Sequence, residues 1–394
     1  MPPKEATLKK AKPPTPATDV AAMLNSGTFR RTQMCSHYKT FLQTKDTPQY
    51  PIQRIPDGLS VPRSPLSQPF VVTDLKNLGM ALPDAKDLTY VAQVVGLSHP
   101  VKVMEVGTQN ELSTHTLGQF AHYLKHYSAE HKVLNMITLE FSNTPLNNKV
   151  QSPSFVREMD WIDCVWPMSR RSRGDYPKVQ KYCLAGMGSS YTDFHIDFGG
   201  TSVWYHVLHG RKVFYLVPPT IPNLRAFVTW TKSKTQADTF FPDTVPGQCF
   251  QFTLNPGQTF IIPSGWIHAV YTPIDSLVFG GNFVHIWGVL RQLQVYQMEG
   301  ETRVTKAYRL PFFRQLNWYL LCALLDLAER RHVPGVGGAG GVGADGGGGG
   351  GAGATYRGVC GIRGGVDPSE EEEDLLAMAD ALVSAVHRLM SSSV

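Results

Sequence analysis

The sequence predicts a mainly β fold with flanking helices, a double-stranded β-helix of the jelly-roll kind. Two observations carry that prediction. From Gln180 onward, short apolar runs alternate with turn signals: YCLAGM, SVWYHVL, KVFYLV, CFQFTL, QTFIIP, HAVYT and LVFGGNFVHI. Their spacing of roughly ten residues suits an antiparallel sandwich or barrel. The segment VWYHVLHGRKVFYLV places His209 and Gly210 between two strand-like halves and reads as a hairpin. Seven or eight such strands closing on themselves give a jelly roll.

The elements follow in order. Residues 1–25 are Lys/Pro-rich and read as a disordered basic tail. Residues 26–150 read as a mixed α/β support region. Within it Val101–Val106 and Val133–Phe141 are expected strands. Thr116 and Gln119 form a capping box for a helix carrying Phe120, Tyr123, Leu124 and Tyr127 on one side. Residues 151–300 hold the jelly-roll core, entered by a helix over Ser154–Trp166 with Phe155, Met159 and Ile162 inward. A helical region fills 301–333. There Pro311 starts a helix to about Arg331, with Phe313, Leu316, Leu320, Leu324 and Leu327 on one stripe. Arg330, Arg331 and His332 complement the dipole at its end. Residues 334–366 are a Gly-rich linker. Residues 367–394 form an acidic amphipathic helix, which would dock on the body or on a partner.

Charge is distributed unevenly. The net value is +5, yet residues 334–394 carry eight acidic and three basic side chains, so the rest carries +10. A basic body suits an anionic surface such as nucleic acid or a nucleosome, and it also describes an ordinary soluble basic protein. Arg170, Arg171 and Arg173 form an RRSR cluster that would touch DNA or sit in a solvated loop. The six cysteines form no CxxC pair, which removes zinc fingers and redox motifs from consideration. The most apolar stretch, Leu316–Leu327, is broken by Asn317 and Asp326 and is too short for a bilayer span. A reducing, soluble compartment is expected, and the Lys9–Lys12 cluster is compatible with the nucleus.

Chemistry concentrates in Tyr191–Asp197, YTDFHID. Residues two apart in a strand face one side, so His195 and Asp197 can point together into a barrel. With a distant second histidine they would make a facial triad, which leaves open positions on a non-haem Fe(II). His268, in IIPSGWIH, is the candidate third ligand. An HxD tripeptide alone also describes a core histidine with a polar partner, and His206, His209 and His285 compete in strand-like segments. Lys212 adds a second layer. In the apolar run KVFYLV a buried lysine needs an anionic partner, and the distal carboxylate of 2-oxoglutarate would be one. The alternative is a lysine snorkelling from a hairpin end. Thr192, Tyr205 and Asn135 can add hydrogen bonds to the same co-substrate. Simple alternation puts Thr192 opposite His195, so the chain would have to be still turning at 191–194.

The run YPKVQKYCLAGMGSSYTDFHIDFGGTSVWYHVLHGRKVFYLVPPT, with FIIPSGWIHAVYTP and LVFGGNF, closely resembles the JmjC histone lysine demethylases, over about Phe70–Leu325. It is most similar to the branch acting on histone H3 lysine 36, which is related to a PHD-linked branch acting on lysines 9 and 27. The resemblance implies Fe(II) held by His195, Asp197 and His268. It implies 2-oxoglutarate contacts from Thr192, Lys212, Tyr205 and Asn135, O2 as the oxidant, and Asn282 lining the site. Cys183–Gly188 and Ile286–Val289 depart from the usual pattern, and neither touches a ligand position.

The resemblance further implies oxidative demethylation of mono- or dimethyl lysine in the histone H3 tail on a nucleosome, releasing formaldehyde and succinate. Non-specific DNA contact would come through the basic surface, and no membrane role is expected. Three other readings use the same residues: a 2-oxoglutarate-dependent side-chain hydroxylase, a non-catalytic chromatin-binding module, and a zinc hydrolase. The chain shows no CxxC zinc module, PHD finger or leucine-rich repeat, so targeting is expected from the basic surface, a partner or the terminal helix.

Overall fold

A computed structural model describes residues 47–62, 65–85, 87–128 and 132–331. The expected tail over 1–25, linker over 334–366 and acidic helix over 367–394 lie outside the described residues. The strands are β1 (Gln53–Ile55), β2 (Phe70–Val72), β3 (Pro100–Glu105), β4 (Asn110–Thr116), β5 (Leu134–Glu140), β6 (Tyr182–Gly186), β7 (Ser190–His195), β8 (Ser202–Val217), β9 (Phe250–Leu254), β10 (Thr259–Ile262) and β11 (Ile267–Phe283). The helices are α1 (Leu88–Val95), α2 (Leu117–His126), α3 (Ser154–Met159), α4 (Trp161–Cys164), α5 (Met168–Arg171), α6 (Ile221–Lys232), α7 (Val289–Glu301) and α8 (Phe313–Arg331).

The strands join in the order β1-β2-β10-β8-β11-β6-β5-β3-β4, with β7 on β11 and β9 on β8. Flanked by helices, this is the mainly β, jelly-roll architecture that the sequence predicts. Strand β8 is buried on both faces except near Leu208–Arg211, which is why it reads as a near-continuous apolar run. Its rings Tyr205 and Phe214 pack with Phe260 and Phe252 at 4.9–5.3 Å between centroids. Each such ring, once buried, contributes about 1.5–3 kcal/mol.

Two local readings are corrected. No hairpin forms at His209-Gly210. Strand β8 continues through it and pairs with β11 from Ser202↔Phe283 to Val217↔Ile267. Gly210 takes φ +82°, and the register of β11 shifts opposite it, between Tyr271 and Val278. The dipeptide therefore makes a bulged bend in one long strand. The helix expected over Ser154–Trp166 is also broken, at Asp160. That buried carboxylate accepts N–H bonds from Ile162 at 3.1 Å and Val284 at 3.2 Å, and from the Gln180 amide at 2.6 Å. It caps α4 and ties it to the end of β11. Val156 of α3 and Ile162 of α4 are buried, as are Val165 and Trp166 beyond them, while Phe155 and Met159 pack at the margin.

The capping box at Thr116 and Gln119 is present, with both reciprocal bonds made. Tyr127 falls past the helix end, where its hydroxyl bonds Asp275 at 2.8 Å. Helices α6 and α7 lie between and after the strand-like runs of the expected core, where the sequence analysis assigns no element. Both have legible signals: Thr220 caps α6 with Pro222 in its first turn, and α7 buries Val289, Gln292, Val295 and Met298 at helical spacing. No described helix is long and apolar enough to cross a membrane.

Candidate metal centre

Pairing of β7 with β11 brings the candidate ligands together. His195 lies opposite His268, and Thr192 lies opposite Val270. Three steps along β7 thus match two along β11, so a bulge sits at Asp193-Phe194. That extra residue turns Thr192 and His195 toward the same cavity, which simple alternation forbids. Asp197 follows as the first residue of the turn after β7.

The ligand atoms of His195, Asp197 and His268 lie within 4.8 Å of one another, and this is the one such group among the described residues. The imidazole centroids stand 4.3 Å apart. His195 Nδ1 meets the Asp193 carbonyl at 2.8 Å, and His268 Nδ1 meets the Trp266 carbonyl at 3.1 Å. A carbonyl only accepts, so Nδ1 carries a proton in both rings, and Nε2 is the nitrogen left to face a metal. His268 Nε2 is 3.7 Å from Asp197 Oδ2. Burial, reinforced by the adjacent His195, pushes the His268 pKa down to about 4. The ring is therefore neutral near pH 7, as a metal ligand must be.

The competing histidines are placed elsewhere. His206 bonds Thr259 at 2.9 Å, His285 bonds Ser202 at 2.8 Å, and His209 is exposed.

A cavity of about 580 Å³ runs outward from these ligands. Lys212 lies at its inner wall, 3% exposed, and Nζ donates to Thr272 Oγ1 at 2.7 Å. Burial pulls its pKa from 10.5 down to about 7. Lys212 Nζ, Asn135 Oδ1 and Ser190 Oγ converge near Gly186, where a Cβ would stand 3.2, 3.0 and 2.9 Å from them. Asn135 Nδ2 also donates to Thr192 Oγ1 at 3.3 Å. Tyr205 lines the same cavity.

Asn282 has a definite position. Its amide donates to Thr201 Oγ1 at 2.8 Å and reaches Asp197 Oδ1 at 3.4 Å. The outer walls include Phe227 and Trp230 of α6, Met298 and Glu299 of α7, and Tyr182. The sequence analysis names none of these as site residues, and for the four on α6 and α7 the reason is that it assigns no helix between 180 and 300.

Two imidazoles and a carboxylate, lining one cavity with their ligand atoms close together, suit a divalent metal ion with open positions. A buried ammonium with no carboxylate partner among the described residues suits an anion nearby. The donor set therefore fits iron(II) with a chelating dicarboxylate.

The RRSR cluster is structural for two of its members. Arg170 pairs with Asp175 at 2.7 Å, bonds Tyr319 and covers the Trp166 ring. Arg171 pairs with Asp163 at 2.7 Å and lies over Tyr176.

Residues 182–283 match the family model of the JmjC domain, described as a hydroxylase. Lysine-specific demethylase 2A of Xenopus tropicalis is 43% identical over 305 residues, which cover 74% of this chain and 26% of that protein. Lysine-specific demethylase 2B of Mus musculus is 44% identical over 274 residues, covering 66% and 21%. Histone lysine demethylase PHF8 of Danio rerio is 43% identical over 273 residues, covering 68% and 26%. The chain spans about a quarter of the length of the curated relatives it matches.

Proposed function

Since residues 182–283 belong to the JmjC domain family, we propose that this chain is an iron(II)- and 2-oxoglutarate-dependent oxygenase that demethylates lysine in histone H3. The observation that carries the reading is the pairing of the His195, Asp197 and His268 group with the buried Lys212 across one cavity. Relatives bearing demethylase names, 43–44% identical across the domain, support it.

Iron(II) held by these three side chains would supply activation of O2, one oxygen atom of which would convert 2-oxoglutarate to succinate and CO2 while the other would oxidise an N-methyl group that leaves as formaldehyde. The chain's own residues bind, orient and exclude water. Lys212, protonated, neutralises the far carboxylate of the co-substrate. Thr192, Asn135 and Tyr205 fix its direction. Phe194, Phe214 and Trp230 line the cavity with rings. Ligands on one side leave the other side for co-substrate and oxygen.

The preferred position is lysine 36, mono- or dimethylated. Identity to the relatives does not choose the branch, since demethylases 2A, 2B, 7A and PHF8 all lie at 43–44%. The choice rests on IPSGWIHAVYTP and on ETRVTKAYRLPFF. A nuclear site of action on the nucleosome follows from that substrate.

A second reading is a protein side-chain hydroxylase, which the family description itself favours. H3 peptides dimethylated singly at lysines 36, 9 and 27 separate the two. Loss of one or two CH2 units from the lysine-36 peptide, seen by mass spectrometry, is expected. Gain of one oxygen atom without loss of CH2, on these peptides or another protein, would move the assignment to the hydroxylase.

A further inference from the structure

The turn that follows His195 is held by side chains from three other elements. Asp197 opens the turn, and its carbonyl accepts the Gly200 N–H at 2.9 Å. Glu299 on α7 accepts the Gly199 N–H through Oε1 at 2.6 Å. Ser264, between β10 and β11, donates to the Gly200 carbonyl. Asn282 on β11 holds Thr201 and reaches Asp197 Oδ1. Gly199 and Gly200 have φ of +56° and +61°, and a Cβ on Gly200 would stand 3.0 Å from the Gln292 Cα of α7. Helix and turn touch because Gly200 lacks a Cβ.

Glu299 is the one ionisable side chain in this set. It is 7% exposed, and a buried carboxylate is unfavourable unless something compensates it. Its Oε2 has no hydrogen-bond partner among the described residues. Arg309 uses Nη2 and Nε on the main-chain carbonyls of Glu299 and Val304, at 2.9 and 2.8 Å. What the carboxylate visibly holds is one backbone N–H, two residues past Asp197. Bonds to a charged acceptor are short and directional.

Resting on the metal reading above, we propose that Glu299 is a positioning residue, clamping the 197–200 turn so that Asp197 presents Oδ2 to the metal. Asn282 reaches Oδ1, and Oδ2 is the oxygen turned toward His268. Because α7 also walls the cavity, the clamp links the substrate-side helix to the ligand set.

The test is cobalt(II) binding to the full chain, followed by absorption, beside thermal unfolding of the same metal-free samples. Glu299→Gln keeps an acceptor for Gly199, and Glu299→Ala removes it. The expected result is cobalt affinity about 10-fold weaker in the alanine variant and near wild type in the glutamine variant, with metal-free unfolding of both cooperative. A glutamine variant as weak as the alanine one would overturn the clamp in favour of a role for the charge. Wild-type cobalt affinity in Glu299→Ala, or a weakened affinity for H3 peptide alone, would overturn it in favour of a contact with a cationic substrate. Failure of the wild-type chain to bind cobalt would refute the metal reading itself, and the clamp with it.

Discussion

Replacing Lys212 by methionine tests the co-substrate site through stability as well as activity. Burial pulls the ammonium from 10.5 to about 7. At roughly 1.4 kcal/mol per unit, that shift amounts to about 5 kcal/mol against the charged form. The folded value lies below the unfolded one, so the penalty is absent above pH 10.5. It grows as pH falls and is complete below about pH 7. Methionine fills similar volume without charge. Loss of the bond to Thr272, 2.7 Å in the protein, returns about 1 kcal/mol. Near pH 7 the metal-free variant should therefore be about 3–4 kcal/mol more stable than wild type, a rise in Tm on the order of 5–10 °C. The gap should close as pH approaches about 10. Adding manganese(II) and 2-oxoglutarate should remove most of that difference. At 100 times Kd the co-substrate stabilises wild type by about 2.7 kcal/mol, and the variant should gain little. The assay is thermal denaturation across pH, with and without co-substrate. A variant no more stable than wild type, or one that keeps the full 2-oxoglutarate shift, would refute the reasoning.

Three further outcomes follow from the same geometry. His268→Ala should weaken cobalt(II) binding by more than the ~10–100-fold that outer contacts are worth, as read by titration. Thr192→Val should lower 2-oxoglutarate affinity about fivefold, the equivalent of ~1 kcal/mol for one hydrogen bond, measured by calorimetry with a redox-silent metal. Arg170→Gln should destabilise the fold by about 1–3 kcal/mol, because it loses Asp175, Tyr319 and the Trp166 face together. The salt dependence of nucleosome binding should stay unchanged in that variant, whereas a slope reduced by about one would restore a DNA role.

Much of the candidate site was legible because its chemistry is unusual. A lysine inside KVFYLV and an HxD beside apolar strands both ask for partners that an ordinary core does not supply. What was illegible depends on pairing between distant strands. The bulge at Asp193-Phe194, which turns Thr192 toward the cavity, is set by register against β11. The His209-Gly210 dipeptide matches a hairpin signal locally, yet one partner strand running along both halves of β8 decides its conformation. Asp160 breaks a helix because three donors from elsewhere meet its carboxylate. Arg170 and Arg171 read as a solvent-facing charge run until Asp175 and Asp163 fold beside them. Helices α6 and α7 were the avoidable omissions. The Thr220 cap and the α7 stripe are local signals carried by the sequence itself.

The central claim is that one metal centre couples 2-oxoglutarate decarboxylation to removal of a lysine methyl group. It is tested most directly by counting formaldehyde and succinate together. The full chain would be supplied with iron(II), ascorbate, 2-oxoglutarate and a lysine-36-dimethylated H3 peptide, with His268→Ala as its paired control. The account predicts peptide-stimulated succinate, formaldehyde in a ratio approaching one to one, and neither product from the variant. Succinate stimulated by peptide without formaldehyde, or formaldehyde at the wild-type rate from His268→Ala, would contradict it.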